Sequence, residues 1–225
     1  ARTASDLREK LAAEGAWPTP AHNIDVAERY SLLDAVCGLA TGGTMPGVSG
    51  GTAKIPMVPI NFPHALEEAN GLYDRMRDAF GEKHYADMLR ELDAVETEVG
   101  RFATGGPLYK ATHISELLVA ILIPATSRVA TLYENTVVDG RLANAALALR
   151  IYRAGHQAYP DALADAGISG EAATDPFTDK PLVYRKEAGG YVLYSVGEDL
   201  TDDGGKVWNM RGKRAGTDLV IKASE

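Results

Sequence analysis

The sequence predicts an α+β protein, in which an α-helical N-terminal region precedes a long kinked helix packed on a small antiparallel β-sheet. Two observations support this fold class. Apolar residues recur at three- and four-residue spacing through much of the first 156 positions, which is typical of helices. From Asp161 onward, short runs of strand-forming residues alternate with glycine- and proline-containing turns, which is typical of hairpins. We therefore expect an α-helical region over 1–110 and a helix-plus-sheet region over 111–225.

The N-terminal region is expected to contain one amphipathic helix followed by a helical hairpin. The first helix has an apolar face formed by Val26, Tyr30, Leu33, Cys37 and Ala40. This face predicts that Cys37 is a small buried hydrophobe rather than a reactive thiol. Segments 63–81 and 85–102 keep unbroken helical spacing and should pair as the hairpin. Segment 41–59 is rich in glycine and proline without any period, which indicates a long loop.

The C-terminal region should begin with a helix over about 115–156 that is kinked at Pro124. The runs PLVYRKE (181–187) and YVLYSVG (191–197) predict a β-hairpin turning at 188–190. A third strand, DLVIK at 218–222, would complete a small antiparallel sheet. The apolar face of such a sheet needs a cover, and the long helix is the available one.

Charge and cysteine content exclude several kinds of function. The formal net charge of −8 and the pI near 5.2 argue against a nucleic-acid partner, because binding to phosphates requires a basic surface. Cys37 is the one cysteine, so neither an intramolecular disulfide nor a cysteine zinc site is possible. The longest apolar run, seven residues at 117–123, is too short to span a bilayer. Any signal peptide or anchor would precede Ala1.

One motif suggests a hydrolase. Residues 47–51 read GVSGG and match the G-x-S-x-G pattern of a nucleophile elbow centred on Ser49. Such an elbow requires a strand before the serine and a helix after it, whereas Pro46 precedes this motif and Pro56 follows it closely. The histidines show no metal-binding spacing. We therefore expect a non-enzymatic protein, and keep a hydrolase using Ser49 as an alternative.

Three segments of the C-terminal region have a recognisable order. The first is LALRIYRAGHQAYP (147–160), the end of a helix followed by Tyr-Pro. The second is DPFTDKPLVYR (175–185), a turn that leads into a strand. The third is a strand followed by an acidic loop, YVLYSVGEDLTDDGG (191–205), together with the last strand, TDLVI (217–221). Together they resemble the C-terminal part of the major pseudopilins of type II secretion systems, within the wider type IV pilin-like class. The resemblance covers roughly the last third of the chain. It implies a pseudopilin-like head, a structural role and an extracytoplasmic location, either periplasmic or at the cell surface.

The acidic segment EDLTDDGG at 198–205 is a candidate calcium site. Calcium prefers several oxygen ligands on a flexible loop, and glycines allow the backbone to fold around an ion. The segment is not an EF-hand, because an alignment that starts at Asp199 places Met210 where the bidentate glutamate is needed. A solvated turn whose carboxylates face water is the alternative. The corresponding loop of major pseudopilins holds calcium, and the resemblance implies as ligands the Val196 carbonyl, Asp199, then Asp202 or Asp203, and Thr217 or Asp218.

These observations lead to one expected function and one further alternative. We expect an extracytoplasmic, pseudopilin-like structural protein with calcium bound in the loop over 196–218. Protein partners or self-assembly are expected, and a nucleic-acid partner is not. The further alternative is a metal-free scaffold or interaction protein, whose tail would be insensitive to calcium.

Overall fold

The structure, a computed structural model, describes residues 20–41, 60–106, 112–123, 126–206 and 218–223 of the 225-residue chain. Over these ranges the protein is mostly helical and has a small three-stranded antiparallel sheet, which confirms the α+β fold class. The chain forms two compact units, Pro18–Ala130 and a second that contains Thr131–Glu225. The boundary between the two units therefore falls between residues 130 and 131. The sequence suggests a boundary between residues 110 and 111.

The first unit is helical. A short turn at Pro20–Asn23 and a π-helical segment at Ile24–Glu28 lead into α1, Arg29–Ala40. Three helices follow: α2 (Phe62–Ala79), α3 (Tyr85–Thr104) and α4 (Ile114–Leu122). Helix α2 contacts α1, α3 and α4, and α3 also contacts α4. The predicted hairpin of α2 and α3 is therefore confirmed, and its core includes Tyr73, Met76, Leu92 and Val95.

The predicted apolar face of α1 is wrong, and Cys37 is exposed. The buried residues of this helix are Leu32, Ala35 and Val36, whereas Tyr30 is 65% exposed. Most of the predicted face lies within the regular helix Arg29–Ala40, so its helical period is right and the choice of face is wrong. Apolar residues also occupy two adjacent faces of α1, and only the docking of α2 decides which face is buried.

The predicted long helix is two helices in the structure. Helix α4 ends at Leu122, and α5 runs over 31 residues, Thr126–His156. Pro124, where a kink is expected, lies between the two helices and outside the described residues. A proline lacks the N–H that an uninterrupted helix needs and clashes with the preceding turn. None of the helices in the described ranges combines the length and hydropathy needed to cross a membrane.

The sheet has the order β1-β2-β3, with β2 in the centre and both pairs antiparallel. Its strands are β1 (Val183–Glu187), β2 (Gly190–Ser195) and β3 (Leu219–Ala223), so the predicted hairpin and third strand are confirmed. Every residue of β2 is buried. Ala188 and Gly189 form a two-residue turn between β1 and β2, and the φ of +77° at Gly189 suits glycine.

The last turns of α5 lie beside the sheet. Arg150 and Arg153 of the helix line one groove together with Lys222 of β3. Just after the helix, the buried Tyr159 packs edge-on against Tyr191 of β2, with 4.9 Å between ring centroids. The C-terminal end of α5 therefore lies beside the edge strand β3. That the helix covers the apolar face of the sheet stays a prediction.

Candidate functional site

The acidic loop begins and ends at one edge of the sheet. Ser195 pairs with Leu219 across β2 and β3. In an antiparallel pair, the next residues outward along each strand, Val196 and Asp218, are therefore neighbours. The Val196 N–H donates to the Oδ2 atom of Asp175 at 3.0 Å. Both ends of the loop are thereby fixed to the folded unit.

Asp218 is the most buried carboxylate of the loop, with 4% of its surface exposed. Its Oδ2 accepts the Gly205 N–H at 2.7 Å, and its Oδ1 accepts the Asp203 N–H at 3.4 Å. Burial raises the pKa of the Asp218 carboxyl; the two backbone hydrogen bonds oppose this, and the charges of Asp203 and Asp202 add to it. Asp202, Asp203 and Asp218 are therefore close enough for their charges to interact.

Asp202 is held by two donors. Its Oδ1 accepts the Tyr194 hydroxyl and the Gly204 N–H, both at 2.8 Å. The Gly204 N–H and then the Tyr194 hydroxyl keep the pKa of Asp202 below its usual range. Burial, followed by the bond to Asp202, raises the pKa of Tyr194 to about 12. Tyr194 lies on β2, so this bond anchors the loop to the sheet.

A side chain at Gly205 would be crowded against β2 and would strain the backbone. The φ of Gly205 is +75°, and a Cβ added there would lie 3.1 Å from the Cγ1 atom of Val192. The backbone of the loop therefore packs directly on β2 at this point. This close approach brings the Gly205 N–H to Asp218.

The other predicted ligands lie in different surroundings. Asp199 is exposed, and its Oδ1 accepts the N–H of Thr201 at 3.0 Å within a local turn. Val196 is buried next to Asp175, and Thr217 lies outside the described residues. Asp202 and Asp203 thus lie within electrostatic range of Asp218, whereas Asp199 lies in a local turn of its own. Within the described ranges, no set of three or more His, Cys, Asp or Glu side chains is arranged as a metal-binding group.

Two residues that support the loop are not predicted from the sequence. Asp175 binds the first residue of the loop, and Tyr194 binds Asp202. The Asp-Pro pair at 175–176 signals a turn, but not a contact with Val196 twenty-one residues further along the chain. Tyr194 lies in the predicted strand, and only the path of the loop shows that its hydroxyl meets a carboxylate.

Comparison with known proteins adds no relative to this description. No family model, curated protein or solved structure matches the chain. The fold and the site therefore define the class that can be stated, an α+β protein with a carboxylate-rich loop between two antiparallel strands.

Proposed function

We propose that this is an extracytoplasmic, pseudopilin-like structural protein whose loop between β2 and β3 binds calcium. The main support is the position of Asp218, a buried carboxylate at the start of the last strand, with the charges of Asp202 and Asp203 nearby. Like charges gathered in one loop repel one another, and a divalent cation would offset that repulsion.

The donor set is chemically suited to calcium. Carboxylate oxygens are hard ligands of the kind that this ion prefers. The Asp202 Oδ1 and both carboxylate oxygens of Asp218 accept hydrogen bonds, and carboxylate oxygens have further lone pairs available for a cation. Asp202, Asp203 and Asp218 would hold the ion, and Asp199 and the Val196 carbonyl would join them if the loop closes around it. The ion would supply positive charge and would have no catalytic role.

Calcium would act by holding the last strand on the sheet. The loop connects β2 to the edge strand β3, so an ion that links Asp218 to the acidic turn would restrain both ends of this connection. A ligand that binds only the folded state increases the free energy of unfolding. Once the ligand concentration exceeds its Kd, this increase grows with the logarithm of the ratio of the concentration to the Kd.

The location and partners follow from the resemblance to pseudopilins. Weak calcium sites suit extracellular modules, where Kd values of roughly 0.1 to 1 mM are typical. We propose a non-enzymatic role that depends on contacts with other proteins or on self-assembly. The resemblance supports this role for the C-terminal unit.

Thermal unfolding with calcium and with excess chelator tests the proposal. The wild type is compared with Asp199→Asn, Asp203→Asn and a control, Glu198→Gln, which removes one charge from an exposed residue of the same loop that is not a predicted ligand. We expect calcium to raise the Tm of the wild type and of Glu198→Gln. The rise should be smaller in at least one of the two aspartate variants.

Magnesium at the same concentration separates a specific site from charge screening. Identical melting curves for the wild type with calcium and with chelator would contradict the proposed calcium site. Such a result would favour the metal-free scaffold or interaction protein. An equal rise in all four proteins would show a general effect of divalent cations.

A further inference from the structure

A basic groove lies between the last turns of α5 and the edge strand β3. It has a volume of about 730 Å³ and is lined by Arg150, Arg153, Gln157, Tyr159 and Lys222, with two alanines. Its lining contains three cations and no carboxylate among the described residues, in a protein whose net charge is −8. The charge of these described lining residues is therefore opposite in sign to the net charge of the protein.

The guanidinium of Arg153 is positioned before any ligand binds. It lies 5.0 Å from the centroid of the Tyr159 ring, and its Nη1 donates to the Tyr159 hydroxyl at 3.3 Å. Tyr159 is itself held by its edge-on contact with Tyr191 of β2. Arg150 lies three residues earlier on the same face of α5 and is exposed. An anion would thus meet one fixed and one adaptable guanidinium.

The end of α5 shapes one side of the groove. Gln157 has a left-handed φ of +58°, a conformation that glycine adopts more easily, and its N–H donates to the Arg153 carbonyl at 2.7 Å. The helix C-terminus contributes about half a negative charge, which is smaller than the charge of the three cations. Among the described residues that line the groove, the balance of charge therefore stays positive.

We propose that this groove binds the phosphoryl group of a small organic phosphate. A phosphate monoester has a charge close to −2 at neutral pH and several acceptor oxygens, which suit two neighbouring guanidinium groups. The volume falls in the range of sites for small organic ligands, about 300 to 1,000 Å³, so the groove has room for more than the phosphate itself. Lys222 lies at the strand edge of the groove, where it adds positive charge. This inference is independent of calcium binding in the acidic loop.

Binding is measured on the full chain from amide chemical shifts during titration with inorganic phosphate and with glycerol phosphate, at constant ionic strength. The test variant is Arg150→Gln, because Arg153 also contacts Tyr159 and its removal would disturb the fold. The matched control is Arg128→Gln, an exposed arginine in the first turn of α5 and outside the groove. A third arm measures cosedimentation with phosphatidylcholine vesicles, with and without phosphatidic acid, and with glycerol phosphate as competitor.

We expect glycerol phosphate to shift the amides of Gln157, Lys222 and Ala223, with affinity about tenfold weaker in Arg150→Gln and unchanged in Arg128→Gln. Binding to phosphatidic acid vesicles that depends on Arg150, without binding of the free phosphates, would identify a lipid headgroup as the source of the phosphoryl group. The proposal is overturned if none of the three probes binds at millimolar concentration. It is also overturned if Arg128→Gln weakens binding as much as Arg150→Gln.

Discussion

The backbone N–H of Val196 donates to the Oδ2 atom of Asp175 across 3.0 Å, and both residues are buried. The other carboxylate oxygen of Asp175 accepts the Phe177 N–H, also at 3.0 Å. One side chain therefore links the turn before β1 to the first residue of the acidic loop. The start of this loop is fixed by the turn as well as by the sheet.

Replacing Asp175 by asparagine should destabilise the C-terminal unit. The amide oxygen can accept one of the two N–H groups, but the amide nitrogen would face the other donor and leave a buried N–H unpaired. We expect a loss of about 2 kcal/mol. Hydrogen exchange of the β2 amides measures this loss directly, and exchange should be about thirtyfold faster. The control is Asp161→Asn, which removes an exposed carboxylate paired with Lys186 and should leave the exchange rates nearly unchanged. Unchanged β2 protection in Asp175→Asn would contradict this role.

Removing Glu96 should weaken the start of α5. Its Oε1 accepts the Ser127 N–H at 2.7 Å, and its Oε2 accepts the Ser127 hydroxyl at 2.9 Å. A side chain of α3 thus caps the N-terminus of α5, where unpaired N–H groups favour a negative charge. We expect Glu96→Ala to lower the free energy of unfolding by about 1 kcal/mol, as measured by urea denaturation.

Two comparisons isolate the capping role of Glu96. Glu91→Ala removes an exposed glutamate of the same helix that pairs with its neighbour Arg90, and should have a smaller effect. Glu96→Gln keeps one acceptor oxygen and should recover part of the loss. Equal effects of Glu96→Ala and Glu91→Ala would show that helix propensity, and not capping, is responsible.

Stability should depend on pH through Glu134. Burial raises the pKa of Glu134 to about 7; Arg141 opposes this rise, and the charges of Asp179 and Asp175 add to it. The ordinary value is 4.5, so the folded state binds the proton more tightly than the unfolded state. The resulting stabilisation is fully present below pH 4.5 and is lost as the pH rises to about 7.

Glu134→Gln removes this dependence, because glutamine stays neutral. We expect the Tm of the variant, relative to that of the wild type, to increase between pH 4.5 and about 7 and then level off. Glu187→Gln, at an exposed position on β1, controls for the general effect of losing one negative charge. A difference in Tm between Glu134→Gln and wild type that stays constant with pH would contradict the prediction.

The parts of the fold that could be predicted are those encoded by local pattern. The hairpin of β1 and β2 agrees with its predicted runs because a glycine-containing turn separates two runs of strand-forming residues, and all of these signals lie within 181–197. Cys37 shows the limit of such patterns. Its neighbours on α1 offer two apolar faces, and the choice between them depends on packing against α2.

The candidate site could be predicted only in part. The acidic composition of 198–205 identifies the loop, and the third strand indicates that Asp218 returns to it. The structure adds the hydrogen bonds of Asp202 to Tyr194 and of Val196 to Asp175, and it separates Asp199 from the other carboxylates. Lys222 is another example, since it is remote in sequence from Arg150 and Arg153 and shares a groove with them only because the helix end lies beside β3.

The sequence by itself determines the α+β class, the hairpin, the third strand and the acidic character of the loop, because each depends on side-chain preferences over a few neighbouring residues. Only the tertiary structure decides which face of α1 is buried, that Asp218 holds the backbone at 203–205, and that Arg150 and Arg153 share a groove with Lys222. These relationships depend on how helices and strands pack. Packing energy comes from contacts between residues that are far apart in the chain, which local periodicity does not encode.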